Sequence, residues 1–316
     1  MSSINTNAAA LTALQSLTQT NKMLTETQNR ISTGLRVAEA SDNAAYWSIA
    51  TTMRSDKSAL STVKDALGLG ASVVDVAYTA MHSAIDVVGE IKTKLVAARE
   101  PGIDKAKVQS EISELQKQLT SIATSASFSG ENWLSVDSAA ATFNATKNIV
   151  ASFTRTGAVV AVQTIAIDTA SMDLFDANPA ATNVAGGILD SNRTVAGIVD
   201  NTATTWSISN LNIAALTDSA ADIAILDGYI KGSDAAIKEM TTAASSLGAV
   251  KSRIGMQQDF VSGLMDALDR GIGTLVDADM NEESTRLQAL QVQQQLGIQA
   301  LSIANGSSQN ILKLFQ

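Results

Sequence analysis

Few side chains in this sequence could carry chemistry. The chain holds one His, His82, and no Cys. Thiol catalysis, disulfides and Cys-ligated metals are excluded, and a multi-His metal site with them. His82 follows the apolar Met81 in a helix-like run and has no obvious partner. A general base needs one within hydrogen-bond reach, so His82 reads as a flank or surface residue. The acidic stretch DADMNEEST, from Asp277, begins like a calcium loop, with Asp277, Asp279 and Asn281 at alternate positions. Such a loop needs Gly sixth and Glu twelfth, where this chain has Glu282 and Gln288. Its carboxylates fit the start of a helix better, where they complement the dipole. Gly68-Leu-Gly70 lacks the rest of a nucleotide-binding fingerprint. Asn144-Ala-Thr and Asn192-Arg-Thr read as chance sequons. Arg54, Lys57, Lys92 and Lys94 read as ordinary solvated charges on helices. No catalytic, cofactor or metal site is expected, and the chain is expected not to be an enzyme.

Composition narrows the class. Of 316 residues, 45% are hydrophobic but only 4% aromatic, so any core must be aliphatic. Two prolines leave room for long uninterrupted helices. The net charge of -9 and the lack of a basic run argue against nucleic-acid or anionic-membrane partners. No run of about 18 apolar residues suggests a membrane span. The first twenty residues lack the basic and apolar parts of a secretory signal, so any export is expected by a route without a cleavable one.

The elements emerge from a 4,3 alternation of apolar positions. One run takes in Ala10, Leu14, Leu17, Asn21, Leu24, Gln28, Ile31 and Leu35. A second goes from Leu60 to Leu95 through Val63, Leu67, Gly70, Val74, Ala77, Met81, Ala84, Val88 and Ile91. Pro101-Gly102 then makes a turn, and a third run covers Val108 to Ala126 through Leu115. A fourth extends from Leu226 to Leu275. The last comprises Leu287, Leu290, Gln294, Gly297, Leu301, Ala304, Ser308, Ile311 and Phe315. A repeat of 3.5 residues specifies helices that supercoil and pack knobs into holes. At about 1.5 Å per residue the second and fourth runs make rods of roughly 60–75 Å, too long for a compact globule.

The fold class predicted is mainly α: an elongated antiparallel helical bundle or coiled coil built from both chain ends. A period of two across 147–167, with a turn at Arg155-Thr156-Gly157, adds a small central β-hairpin. Residues 169–218, rich in Asn, Asp, Thr, Ala and Gly, read as a variable surface excursion of loop and short strand. The expected division is a terminal coiled-coil domain from 1–40 with 283–316, and a helical rod from 41–168 with 219–282.

The terminal runs place Asn21, Gln28, Gln294 and Ser308 on their own seams, where polar residues fix register at a cost in stability. The last run carries a second apolar stripe, Val292, Leu296, Ile303 and Leu314. A helix apolar on two faces needs more than one neighbour. The ends are therefore expected to pair with each other and with further copies of the chain. Between the first two runs lies ISTGLRVAEASDNAAYWSIA, residues 31–50. Gly34 weakens helix there, Ser41 or Asp42 can cap the next helix, and Tyr46 and Trp47 can anchor the joint, with Arg36 in the same connector.

Several blocks resemble bacterial flagellins. They are INTN from Ile4, RISTGLRV and SDNAA between Arg30 and Ala45, FSGENWL from Phe128, QQQLGIQALSIAN from Gln293, and QNILKLF from Gln309. The likeness covers about 1–135 and 225–316 and is nearest the short flagellins of α-proteobacterial or rhizobial type. It implies a structural subunit of the extracellular flagellar filament, used for swimming, with the outer domains of larger flagellins absent or reduced. Ile4 joins the terminal seam residues as a core position on this likeness. Implied partners are other copies of the chain, related flagellins, the cap, junction proteins, and the export chaperone and secretion apparatus. A hook–filament junction adapter is the alternative, since adapters share similar terminal coils; a cytoplasmic coiled-coil scaffold is a more distant one. An enzymatic central domain of metallopeptidase type would need His and Glu in 135–225, which has neither.

The resemblance also bears on host recognition. Plant receptors of many flagellins read the block equivalent to 29–50. This chain keeps Ser32, Thr33, Gly34 and Arg36, but has Ser41 for the usual Lys, Asn43 for a common Asp and Tyr46 for the usual Gly. Weak plant perception is expected. A rod face resembling 89–119 is read by an animal Toll-like receptor, and ungapped matching puts family Arg positions on Ile91 and Leu115. Loss of those guanidinium donors predicts poor activation.

Overall fold

The heptad runs fold as helices with few exceptions. The computed structural model describes residues 7–141, 143–157, 159–177, 186–194 and 205–313. Its contacts divide the chain into two units, Met1–Ser58 with Leu264–Gln316, and Ala59–Gly263.

In the first unit, α1 (Ala8–Thr33) lies antiparallel to α5 (Met280–Lys313). Three contacts fix the direction. Asn7 Nδ2 donates to the Ala304 carbonyl at 2.9 Å. Gln294 Nε2 donates to Asn21 Oδ1 at 2.7 Å, and Arg30 Nη1 to Glu283 Oε1 at 3.1 Å. Asn7 caps α1 by accepting from the Ala10 N–H, and Gly34 ends it at φ 72°, a left-handed turn that favours Gly. Asp279 caps α5, with Glu282 and Glu283 in the first turn. The acidic run from Asp277 thus starts a helix, as its composition predicts. The same unit holds the first turns of α2 (Ala44–Ala98) and the last turns of α4 (Ala220–Val276). Val37, Ala50, Ile272 and Val276 form its buried cluster, with Leu35, Met53 and Leu275 packed against them.

In the second unit α2 and α4 run antiparallel with no slip in register. Lys64–Ser262, Asp75–Lys251, Lys92–Asp234 and Arg99–Asp227 pair in order along them. Every position of the second heptad run from Leu60 to Leu95 is buried. On α4, Leu226, Ser233, Met240, Ala244, Leu247, Ile254 and Val261 are buried. Lys251 departs from the pattern: it is exposed and reaches Asp75 at 2.5 Å. Lys57, Lys92 and Lys94 are not merely solvated, since they pair with Asp269, Asp234 and Glu111.

α3 (Lys105–Ser125), capped by Asp104, buries Ile112, Leu119 and Ala123. The hairpin pairs β1 (Thr146–Thr156) with β2 (Val159–Asp168) around Gly157, with a bulge between Val150 and Ser152. It buries Ile149, Ala151, Ile165 and Ile167. Gly70 lets it approach α2, because a Cβ there would lie 2.5 Å from Ile149 Cγ2.

The described parts of 169–218 depart from the surface excursion expected. Leu174, Leu189, Trp206, Ile208, Leu211 and Ile213 are buried. Gln109 and Gln116 of α3 hold this stretch by its backbone, through Ile213 N–H at 2.9 Å and the Ile208 carbonyl at 2.9 Å. Trp206 packs against Tyr229, ring centroids 4.5 Å apart and tilted by 58°, and closes on Gly232 of α4. The short strands between are two-residue pairings, among them a parallel one between Ser135–Val136 and Phe175–Asp176.

Candidate assembly interface

The terminal pair leaves much of its apolar surface in solvent. On α5 the protected row is Glu283, Leu287, Leu290, Gln294, Gly297, Leu301 and Ala304, which is the heptad read from the sequence with Glu283 added. On α1 the protected row is Ala10, Ala13, Leu17, Thr20, Leu24, Thr27 and Ile31. Half of the expected α1 seam is therefore displaced by one residue. Leu17, Leu24 and Ile31 hold their places, whereas Leu14, Asn21 and Gln28 lie exposed, with Asn21 bridging to Gln294 at the edge. The small residues Ala13, Thr20 and Thr27 take the inner row, and Leu17 Cδ1 comes within 3.2 Å of a Cβ built on Gly297, so the helices approach closely.

What remains outside is large. Leu11 is 61% exposed, Leu14 49%, Val292 55%, Leu296 58% and Ile303 73%. Each such side chain gains about 1.5–3 kcal/mol on full burial. Exposed apolar surface of this extent is uncommon on a protein that stays single in solution. Ile311 lies within α5, and Ile4, Leu314 and Phe315 lie outside the described residues.

A buried charge group crosses the pair near the end of α1. The Glu283 side chain is 6% exposed and accepts from Arg30 at 3.1 Å, with Arg286 at 3.5 Å. Arg30 also pairs with Glu26. Burial pulls the Arg30 pKa down, but the hydrogen bond to Glu283 and the charges of Glu26 and Glu283 outweigh it and raise it.

The connector is built by backbone. The Gly34 carbonyl accepts from Ala278 N–H at 2.9 Å, and the Arg36 and Val37 N–H groups both donate to the Val276 carbonyl. The Arg36 guanidinium donates to the Leu275 carbonyl at 3.1 Å. Asn43, rather than Ser41 or Asp42, caps α2, accepting from the Ala45 and Tyr46 N–H groups at 3.1 Å. Asp42 instead closes the preceding turn through the Ala38 and Glu39 N–H groups. Ser41 is exposed, beside Glu39. Tyr46 and Trp47 stay partly in solvent, at 41% and 36%, with Ile49 beside them at 49%.

Of the two rod positions matched to receptor-contacting Arg, Ile91 is fully buried and Leu115 is half-buried. Ile91 is a core residue of this chain, not a surface site that has lost its guanidinium.

His82 is exposed and shares a hydrogen bond of 3.0 Å with the Tyr78 hydroxyl. Asp173 lies near Asp176 and Asp190; burial, then these neighbouring charges, push its pKa up to about 6. Among the described residues no group of three or more His, Cys, Asp or Glu is placed to hold a metal ion. No helix among them is long and apolar enough to cross a membrane.

A mainly helical chain whose terminal helices pair, with apolar side chains left in solvent and no cluster for metal or catalysis among the described residues, has the form of a helical structural protein. Comparison with known proteins makes this specific. Residues 4–139 match the bacterial flagellin N-terminal helical region, and residues 230–315 match the bacterial flagellin C-terminal helical region. Flagellin C of Rhizobium meliloti strain 1021 is 53% identical over 326 positions, and Flagellin of Brucella melitensis biotype 1 is 45% identical over 317; both alignments cover each chain in full. Flagellin D of Rhizobium meliloti is 44% identical over 401 positions, also in full, so that relative carries segments this chain lacks. The chain belongs to the bacterial flagellin family. It is a structural subunit of the flagellar filament, located outside the cell, and nothing in these likenesses favours a junction adapter.

Proposed function

We propose that the filament is held together by the terminal helix pair. Residues 1–40 and 283–316 act as the core domain, 41–168 with 219–282 as the rod, and 169–218 as the segment that varies between flagellins. The observation that carries this is the solvent-facing stripe Leu11, Leu14, Val292, Leu296 and Ile303. In the filament it meets the same stripes on neighbouring copies. Asn21 and Gln294, paired at the edge of the seam, act as register markers, since a buried mispairing of either is costly.

The connector transmits the position of the core pair to the rod. Its backbone bonds to Val276 and Ala278 fix its path, and Tyr46 and Trp47 dock on a neighbouring subunit. The cap, junction proteins and export apparatus are the other partners. The chain carries out no reaction of its own. Ser41 and Tyr46, exposed in the block that plant receptors read, reduce recognition of this flagellin.

Removal of residues 302–316 tests the assignment. The truncated chain is expected to keep the rod's helical circular dichroism and to form no filaments under conditions that polymerise the full chain. Filaments of ordinary length from it would overturn the proposal.

A further inference from the structure

We propose that Asn305–Gly306 is a self-modification site: in the unassembled chain Asn305 closes on the Gly306 nitrogen and is converted to isoaspartate, and chains so altered no longer enter filaments. The proposal rests on the filament reading and adds to it a chemical change that assembly itself prevents.

Three observations lead to it. First, Asn305–Gly306 is the one Asn-Gly pair in the sequence, and Asn305 is exposed. Gly has no Cβ to shield its nitrogen, and a Cβ built on Gly306 meets nothing within 4 Å, so a five-membered ring has room to form. Second, the helix is weakly held here. In a helix the Gly306 N–H donates to the carbonyl four residues back and is turned away from Asn305 Cγ, so reaction needs local opening. Asn305, Gly306, Ser307 and Ser308 are all poor helix formers, Gly by about 1 kcal/mol against Ala. Third, support from α1 ends at this point. Asn7, the first described residue, caps α1 and donates to the Ala304 carbonyl at 2.9 Å, and α1 leads from there towards the start of α5. α5 goes on to Lys313, and a piece that short holds poorly as helix without a neighbour.

The reaction balances with water as the only co-reactant. The Gly306 nitrogen bonds to Asn305 Cγ and gives its proton to solvent; the Cγ–Nδ2 bond breaks and ammonia leaves. Water then opens the ring. Opening at the main-chain carbonyl leaves the chain running through Cβ and Cγ, with one more backbone atom and a free α-carboxylate. The helical hydrogen-bond ladder does not pass that extra atom, so α5 ends at residue 305 and loses its seam positions Ser308 and Ile311. This repeats most of the 302–316 truncation. Opening at Cγ gives Asp at 305 on an unaltered backbone, and its carboxylate stands beside the N-terminus of α1, which favours negative charge. In the filament, neighbouring copies cover this end of α5 and keep the ladder closed.

Unassembled chain and filaments are aged side by side at mildly alkaline pH, and isoaspartate is located by enzymatic methylation and peptide mass spectrometry. Conversion at Asn305 is expected in the unassembled chain and about tenfold more slowly in filaments, the protection given by about 1.4 kcal/mol of helix closing. Asp227–Gly228, inside α4 with its carboxylate on Arg99 at 2.7 Å, is the control and should not change. When the aged chain is polymerised and sedimented, isoaspartyl chains should stay in the supernatant, whereas Asn305→Asp should assemble. Gly306→Ala shields the nitrogen and favours helix, and should abolish the conversion. Equal rates in the two states, no conversion in the unassembled chain, conversion of Gly306→Ala at the wild-type rate, or isoaspartyl chains within filaments each overturn the proposal and leave the filament reading intact. An Asn305→Asp chain that also stays out of filaments overturns the part assigned to the backbone. If Gly306→Ala does not assemble, the wild-type comparison decides alone. A wild-type chain that forms no filaments overturns the filament reading itself.

Discussion

Replacing Glu283 by Ala should loosen the terminal pair more than any surface change. Its side chain is 6% exposed, and the Arg30 side chain it binds at 3.1 Å is 23% exposed. Breaking a buried pair by removing one partner costs about 3–5 kcal/mol, because the other charge stays desolvated. Here Arg30 keeps Glu26, whose side chain is 57% exposed, so part of that cost is recovered. About 2–3 kcal/mol remains, which raises opening of the pair about thirty- to a hundred-and-fiftyfold. Hydrogen exchange of the unassembled chain reads this directly, in peptides from the second half of α1 and the first turns of α5. Peptides from α3 should not change. The double variant Arg30→Met/Glu283→Met removes both charges and should recover most of the protection, since an apolar pair of similar volume costs no charge desolvation. Unchanged exchange in Glu283→Ala, or a double variant as open as the single, would refute the reasoning.

Three further outcomes follow from local geometry. Asn43→Ala removes the cap that accepts the Ala45 and Tyr46 N–H groups and should destabilise the start of α2 by about 1 kcal/mol, seen as faster exchange there. Gly70→Ala places a Cβ 2.5 Å from Ile149 Cγ2 and should cost about 1–3 kcal/mol by overpacking; Ile149→Ala in the same chain, which removes Cγ2 and the other clashing carbons, should then cost less than it does beside Gly70 in urea unfolding. Asp173 holds its proton up to a pH of about 6 in the folded chain against 3.8 unfolded. Its contribution is thus complete below pH 3.8 and lost as pH rises through about 6. Asp173→Asn should flatten the pH dependence of local exchange around Leu174 across that window; an unchanged slope counts against it.

The helices were legible because their period is strict. Every seam position from Leu60 to Leu95 is inside, and on α5 the protected positions from Leu287 to Ala304 are those that the spacing predicts. The seam of α1 was half legible. Its sequence carries two apolar rows, and period alone does not say which row meets the same chain. Close approach at Gly297 selects the smaller Ala13, Thr20 and Thr27 row and leaves Leu14 outside. The cap of α2 lies one or two residues beyond the Ser41 or Asp42 expected, because Ser41, Asp42 and Asn43 are all good capping types and only the geometry chooses among them. The buried part of 169–218 was missed because its apolar residues follow neither period. The lone Trp206 amid Thr and Asn was the one signal that this stretch has a core to reach. The heptad itself places Ile91 on the buried seam, and this outranks an ungapped match of the same position to a surface Arg.

In the proposed assembly the outer stripes of the terminal pair become the filament's interior. Cryo-electron microscopy of filaments reassembled from this chain, at a resolution that shows side chains, tests it most directly. α1 and α5 should lie innermost, with Leu14, Leu296 and Ile303, exposed in the single chain, buried between copies. A filament in which these side chains face solvent, or whose core is built from another segment, would contradict it.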